Sequence, residues 1–139
     1  MVGEVENVIA KILISFLNEN YAEDYTFEAF IDNSIEIYAF SKLDLSRKFS
    51  IIRIIVQNEF EQISIPNIFM PPHLEHRRVG KKLLRIIYEV GQNYYNYQVF
   101  VTQLTDSFKE RLLKRGAIRT NELDMLQIVE STNLSAPLK

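Results

Sequence analysis

Apolar residues at the start of the chain recur every three or four positions, which is the spacing of one face of an α-helix. These residues are Val5, Val8, Ile9, Ile12, Leu13, Phe16 and Leu17. The pattern predicts an amphipathic helix from about Glu4 to Asn20. After this helix apolar positions alternate with polar ones, which is typical of strands. Four strands are predicted, over residues 25–31, 34–40, 49–57 and 63–70.

The middle of the chain contains strong stop signals and then returns to helical spacing. Pro66 lacks an N–H inside the fourth strand, so we expect a bulge or a sheet edge there. Pro71 and Pro72 end that strand, and a long helix is predicted after them. A fifth strand is predicted over residues 97–102. The apolar face of the long helix carries Val79, Leu83, Ile86, Ile87, Val90 and Tyr94.

A third helix and a hairpin complete the predicted order of elements. Thr105 or Asp106 is suited to cap the helix, and Gly116 to end it in left-handed backbone. The hairpin covers residues 118–120 and 125–129. The order α-β-β-β-β-α-β-α-β-β predicts an α/β (α+β) fold with a mixed, mostly antiparallel twisted sheet flanked by helices. We expect one domain over residues 1–130 and a flexible tail over residues 131–139.

The composition narrows the class of protein. A chain of 139 residues with 47% hydrophobic residues and a net charge of −2 is expected to fold as one domain rather than to be disordered. It contains no Cys, which excludes disulfides, thiolate zinc sites and a cysteine nucleophile. No run of apolar residues is long enough to span a membrane, and the first residues are acidic. We therefore expect a cytoplasmic protein without a membrane partner.

Charge is divided unevenly along the chain. Residues 1–72 carry 5 Lys/Arg and 11 Asp/Glu, a net charge of −6, whereas residues 73–139 carry 11 Lys/Arg and 7 Asp/Glu, a net charge of +4. Five cations are concentrated in the first turns of the long helix, where they oppose the helix dipole. They are Arg77, Arg78, Lys81, Lys82 and Arg85. Free backbone N–H groups at a helix start bind phosphate, and Gly80 would let a ligand approach closely. The alternative is a surface helix whose cations meet solvent or the acidic half of the chain.

The residues around this turn resemble a known motif. Met70-x-Pro72-x-x-Glu75-x-x-Arg78-x-Gly80 is similar to motif A of the GNAT superfamily of acetyltransferases. The resemblance continues into the predicted fifth strand, third helix and closing hairpin, and covers about residues 34–129. It implies a GNAT-like acyl-CoA N-acyltransferase fold. Against the family pattern, Glu75 replaces Arg or Gln, Arg78 replaces Gly, and Ala117 replaces Phe.

The resemblance also implies a co-substrate and its site. Acetyl-CoA would bind through main-chain groups near Met70, which pair with the pantetheine arm, and through a set of residues that holds the pyrophosphate. That set is His76, Arg77, Arg78, Val79, Gly80 and Lys81. Thr105 stands where the family has Asn at the cofactor site. The implied function is transfer of an acetyl group from acetyl-CoA to an amine of a small molecule or a protein.

The sequence matches the family's catalytic residues less completely than its cofactor-binding motif. Leu112 stands where the family has a Tyr that acts as general acid. Glu59 and Glu61, at the start of the fourth strand, are the candidate bases, and charged turn residues are the alternative interpretation. The alternative function is a catalytically degenerate GNAT-like module that binds an acyl-CoA or a protein partner without turnover.

Other kinds of site are weakly indicated. His73-x-Glu75-His76 matches no standard zinc motif, so we expect no metal site. Tyr94, Tyr95 and Tyr97 could stack on bases, but an isoelectric point of about 5.7 disfavours a nucleic-acid partner. A homodimer is compatible with the sequence.

Overall fold

The first helix forms where the periodicity predicts it. The computed structural model describes residues 3–44 and 46–134. Helix α1 runs from Glu4 to Asn20, with Glu4 and Glu6 in its first turn, where the helix dipole favours acidic side chains. Its buried face includes Ile9, Leu13 and Leu17. These side chains belong to the same core cluster as the inward-facing residues of the sheet.

The strands form one sheet of α+β architecture. Within the described ranges the sheet has seven strands in the order β1-β2-β3-β4-β5-β7-β6. Every neighbouring pair is antiparallel except β4 and β5, which are parallel. The predicted mixed, mostly antiparallel sheet is therefore confirmed. The strands are β1 Tyr25–Ile31, β2 Ile35–Ser41, β3 Lys48–Gln57, β4 Gln62–Ile68, β5 Gln98–Val101, β6 Ile118–Arg119 and β7 Leu126–Ile128.

Pro66 produces the predicted irregularity inside a central strand. The register between β3 and β4 shifts between Arg53, which pairs with Asn67, and Ile55, which pairs with Ser64. One strand therefore carries an extra residue around Pro66, as in a β-bulge. β4 lies between β3 and β5, but its pairing with β5 ends at Ile65, so Pro66 also lies at a local edge of the sheet.

The long helix that was predicted after Pro72 is interrupted. Helix α2 runs from Val79 to Tyr88 and continues as a π-helical segment, Glu89–Tyr94. In a π-helix the hydrogen bonds span five residues, so the apolar face no longer follows the α-helical period. Tyr94 is consequently 79% exposed, and its predicted place on the buried face is wrong.

The C-terminal part packs closely against the sheet. Helix α3 runs from Asp106 to Lys114 and is capped by Thr105, whose side chain accepts a hydrogen bond from the Phe108 N–H. Gly116 has φ of +101°, the left-handed conformation predicted for the residue that ends this helix. The chain then forms the β6–β7 hairpin.

The tail expected from Ser131 is packed against the domain as far as Leu134. Leu134 is buried in the core cluster, and the Asn133 N–H donates to the Arg115 carbonyl at 2.7 Å. The rest of that segment, residues 135–139, lies outside the described residues.

Helices α1 and α2 lie side by side and contact the sheet. The Lys82 ammonium of α2 donates to the Tyr21 hydroxyl, just beyond α1, at 2.9 Å. None of the helices in the described part of the chain is both long and apolar enough to cross a membrane.

Candidate functional site

The parallel pair β4 and β5 opens a cleft in the sheet. Their pairing ends at Ile65 and Val101, and the Thr102 N–H still donates to the Ile65 carbonyl at 3.0 Å. Beyond this point β4 follows β3, since the Phe69 N–H donates to the Ile51 carbonyl. A cleft of about 520 Å³ lies between the two strands where they separate, and this volume is within the usual size range of small-molecule sites.

The edge of β4 that borders the cleft offers backbone groups to a ligand. Phe69 directs its N–H toward β3, and successive residues of an extended strand turn their backbone groups to opposite edges. The N–H and C=O of Ile68 therefore point toward the cleft. An extended ligand with amide groups can pair with this edge in the way a strand does.

The cation-rich turn stands at the outer end of the cleft. His76 and Arg78 have φ of +64° and +57°, so the backbone is left-handed at two non-glycine residues just before α2. The first helical hydrogen bond joins the Lys82 N–H to the Arg78 carbonyl, and no side chain caps the helix. The N–H groups of residues 79–81 precede that bond and are free to bind an anion.

Most of the predicted cofactor-binding residues meet in this cleft. Those that line it are Met70, His76, Arg78, Val79, Gly80, Lys81 and Thr105. Arg77 is the exception. Its guanidinium lies 4.8 Å from the centroid of the Tyr21 ring, so it fastens the turn to the end of α1 instead.

Gly80 has a packing role that sequence reasoning did not anticipate. A Cβ at this position would lie 3.1 Å from the Ile68 Cγ2 atom, which is tighter than an ordinary van der Waals contact. The missing side chain therefore lets α2 approach the end of β4. Gly80 borders the cleft, but its first effect is on the distance between helix and strand.

The electrostatic field of the cleft is positive. Arg78, Lys81 and Arg111 all line it. Burial lowers the pKa of Lys81, and the charges of Arg115, Arg111 and Arg78 lower that pKa further. The Nη1 atom of Arg78 is buried and has no hydrogen-bond partner among the described residues. Glu75 is the carboxylate in the lining, and it lies 4.0 Å from His76.

The candidate bases lie elsewhere. Glu59 belongs to a 3₁₀ turn at Asn58–Phe60, and Glu61 directly precedes β4. Both are exposed at the end of β4 that is remote from the cleft, which begins after Ile65. The structure therefore does not bring the two carboxylates together with the other predicted site residues.

The position at which the resemblance implies a general acid also lies outside the cleft. Leu112 is fully buried in the core cluster and does not contribute to the lining. A phenol at this position would enter the core rather than the cleft.

Sequence reasoning overlooked two lining residues, Phe108 and Arg111. Phe108 is half-buried and also packs against the core cluster, whereas Arg111 is exposed. Their spacing of three residues places them on one face of α3. That spacing was visible in the sequence, but it did not reveal which face meets the cleft.

The histidines of the segment before α2 each lie near one carboxylate. His73 lies 3.9 Å from Asp24, and His76 lies 4.0 Å from Glu75. Across residues 3–44 and 46–134, no group of three or more His, Cys, Asp or Glu side chains is arranged to hold a metal ion.

Comparisons of the chain with protein-family models, curated proteins and solved structures find no significant match.

Proposed function

We propose that this chain is an N-acetyltransferase of GNAT-like fold, which transfers an acetyl group from acetyl-CoA to an amine of a small molecule or a protein. The observation that carries the proposal is the position of the cleft. It opens where parallel β4 and β5 separate, and the cation-rich start of α2 stands at its outer end. The motif around Met70 and Gly80 implies a co-substrate at this place.

The cleft matches the chemical parts of acetyl-CoA in order. The free N–H groups of residues 79–81 hold the pyrophosphate at the outer end. The exposed edge of β4 at Ile68 pairs with the amides of the pantetheine arm. The thioester then reaches the inner end, where Ile65 and Val101 provide an apolar surface.

The reaction requires little from the protein beyond positioning. The neutral amine attacks the thioester carbonyl, a C–N bond forms, and the C–S bond breaks as the thiolate leaves. The amine proton passes to water, and the thiolate takes a proton from water. Alignment of the two reactants supplies the main rate enhancement, since a thiolate leaves readily. Use of acetyl-CoA agrees with the cytoplasmic location expected from the sequence.

A second candidate function is a module that binds an acyl-CoA or a protein partner without turnover. It is favoured by the burial of Leu112 and by the lining of the cleft, which includes no Tyr among the residues that the structure describes. A positioned general acid contributes about 10²–10⁴-fold, so turnover without one is expected to be slow.

Calorimetric titration with acetyl-CoA, followed by a thiol-release assay over a panel of amines and peptides, tests both candidates. The proposal predicts one site per chain, weaker binding at high salt, and thiol release above background with at least one amine. Binding without thiol release would favour the module. Absence of binding at millimolar acetyl-CoA would overturn the N-acetyltransferase proposal and leave the module that binds a protein partner.

A further inference from the structure

Cations from two different helices converge on the outer end of the cleft. Arg78 and Lys81 come from the start of α2, and Arg111 comes from α3. Arg115 lies one turn beyond Arg111, and its Nη1 donates to the Asn133 carbonyl at 2.9 Å, which holds this end of α3 in place. The positive charge of Arg115 contributes to the lowered pKa of Lys81.

These cations are not neutralised by the domain. No carboxylate of the described residues forms an ion pair with Arg78, Lys81 or Arg111. The Nη1 atom of Arg78 is buried without a hydrogen-bond partner. A buried donor without an acceptor is costly, and adjacent like charges repel. Both costs are removed when an anion binds between the two helices.

The cationic side chains are donors additional to the N–H groups of the helix start, although Arg78 and Lys81 belong to that same turn. The N–H groups of residues 79–81 point along the axis of α2, whereas the guanidinium of Arg111 approaches from α3. One set of backbone N–H donors and one set of cationic side chains, which includes Arg111 from α3, suit a ligand with two phosphate groups. A phosphomonoester carries nearly two charges at neutral pH, and guanidinium groups bind it in a bidentate manner.

We propose that Arg78, Lys81 and Arg111 form a second anion subsite that binds a phosphomonoester of the co-substrate, so that the chain selects coenzyme A over dephospho-coenzyme A. The inference rests on the proposed function, because it assigns the diphosphate of the same molecule to the start of α2. It adds that the site distinguishes a co-substrate with a phosphomonoester from one without it.

The test measures the affinities of coenzyme A and dephospho-coenzyme A by calorimetry. We expect the wild-type chain to bind coenzyme A about tenfold more tightly, since a hydrogen bond to a charged group is worth roughly one decade of affinity or more. Arg111→Gln is expected to reduce the affinity for coenzyme A by about that factor and to leave the affinity for dephospho-coenzyme A nearly unchanged.

Lys114→Gln is the matched control. Lys114 is exposed in the last turn of α3 and does not line the cleft, so both variants remove one cation from the same end of the helix. The control is expected to bind both ligands like the wild type. Thermal unfolding of each variant verifies that it is folded, and Lys81→Gln serves as a second subsite variant if Arg111→Gln is not.

Equal wild-type affinities for the two ligands would overturn the subsite and leave acetyl-CoA binding intact. An equal loss of both affinities in Arg111→Gln would also overturn the subsite. Arg111 would then act on both ligands only through the overall positive potential of the cleft. If the wild type binds neither ligand, the proposed function fails and the subsite fails with it.

Discussion

The left-handed backbone at Arg78 allows a test that separates the effect of backbone strain on stability from the effect of the arginine charge on binding. Arg78 has φ of +57° and ψ of +28°, a left-handed conformation that non-glycine residues adopt at a cost of about 1 kcal/mol or more. Glycine adopts it without steric penalty but loses more entropy on folding. We expect Arg78→Gly to raise the free energy of unfolding by about 1 kcal/mol, equivalent to about 3 °C in Tm for a chain of this size.

Arg78→Ala is the control for the lost side chain. It removes the same guanidinium, including the buried Nη1 atom without a partner, but keeps a Cβ in left-handed backbone. Arg78→Gly is therefore expected to be about 1 kcal/mol more stable than Arg78→Ala. Both variants are expected to bind coenzyme A more weakly and to a similar extent, since each loses one cation from the cleft.

Urea and thermal unfolding, followed by circular dichroism, measure the stabilities, and calorimetry measures the affinities. His76 allows an independent repeat, because its φ is +64° and its side chain is 95% exposed. His76→Gly is accordingly expected to be more stable than His76→Ala. If the glycine and alanine variants are equally stable at both positions, the argument from backbone strain is refuted.

Three further substitutions test the cleft. Leu112→Tyr is expected to lower the free energy of unfolding by about 1–3 kcal/mol in urea titrations, because it overfills a buried site, and not to increase thiol release. Gly80→Val is expected to destabilise the chain by a similar amount through contact with Ile68, and to remove the Tm increase that coenzyme A produces. Glu75→Gln is expected to raise the affinity for coenzyme A about two- to fivefold in calorimetry, because it removes the carboxylate of the lining, with a larger effect at low salt.

Each of these predictions has a contrary outcome. Faster thiol release from a stable Leu112→Tyr protein would mean that this side chain reaches the cleft. Loss of binding by a Gly80→Val protein of normal stability would favour direct approach of the ligand to Gly80 over helix–strand packing. An affinity of Glu75→Gln that equals the wild-type value at all salt concentrations would show that the phosphates bind far from this turn.

The sequence alone determined most of the helices and strands and the composition of the cation-rich turn before α2. Helix α1, the β2–β3–β4 strands, the cap at Thr105 and the left-handed Gly116 follow from preferences that act over a few neighbouring residues. The cation-rich start of α2 is also local, so most of the predicted cofactor-binding residues line the cleft.

Only the tertiary structure decided which faces of the helices and strands pack into the core and which line the cleft. Glu61 directly precedes the strand that borders the cleft, yet it lies at the remote end because β4 and β5 stay paired as far as Ile65. Leu112 and Arg111 are adjacent in sequence, but the orientation of α3 buries the first in the core and turns the second to the cleft. Gly80 serves the approach of α2 to Ile68 because β4 continues along β3 beyond its bulge. Such contacts depend on the pairing of segments that lie far apart in the chain, and no local pattern of residues encodes them.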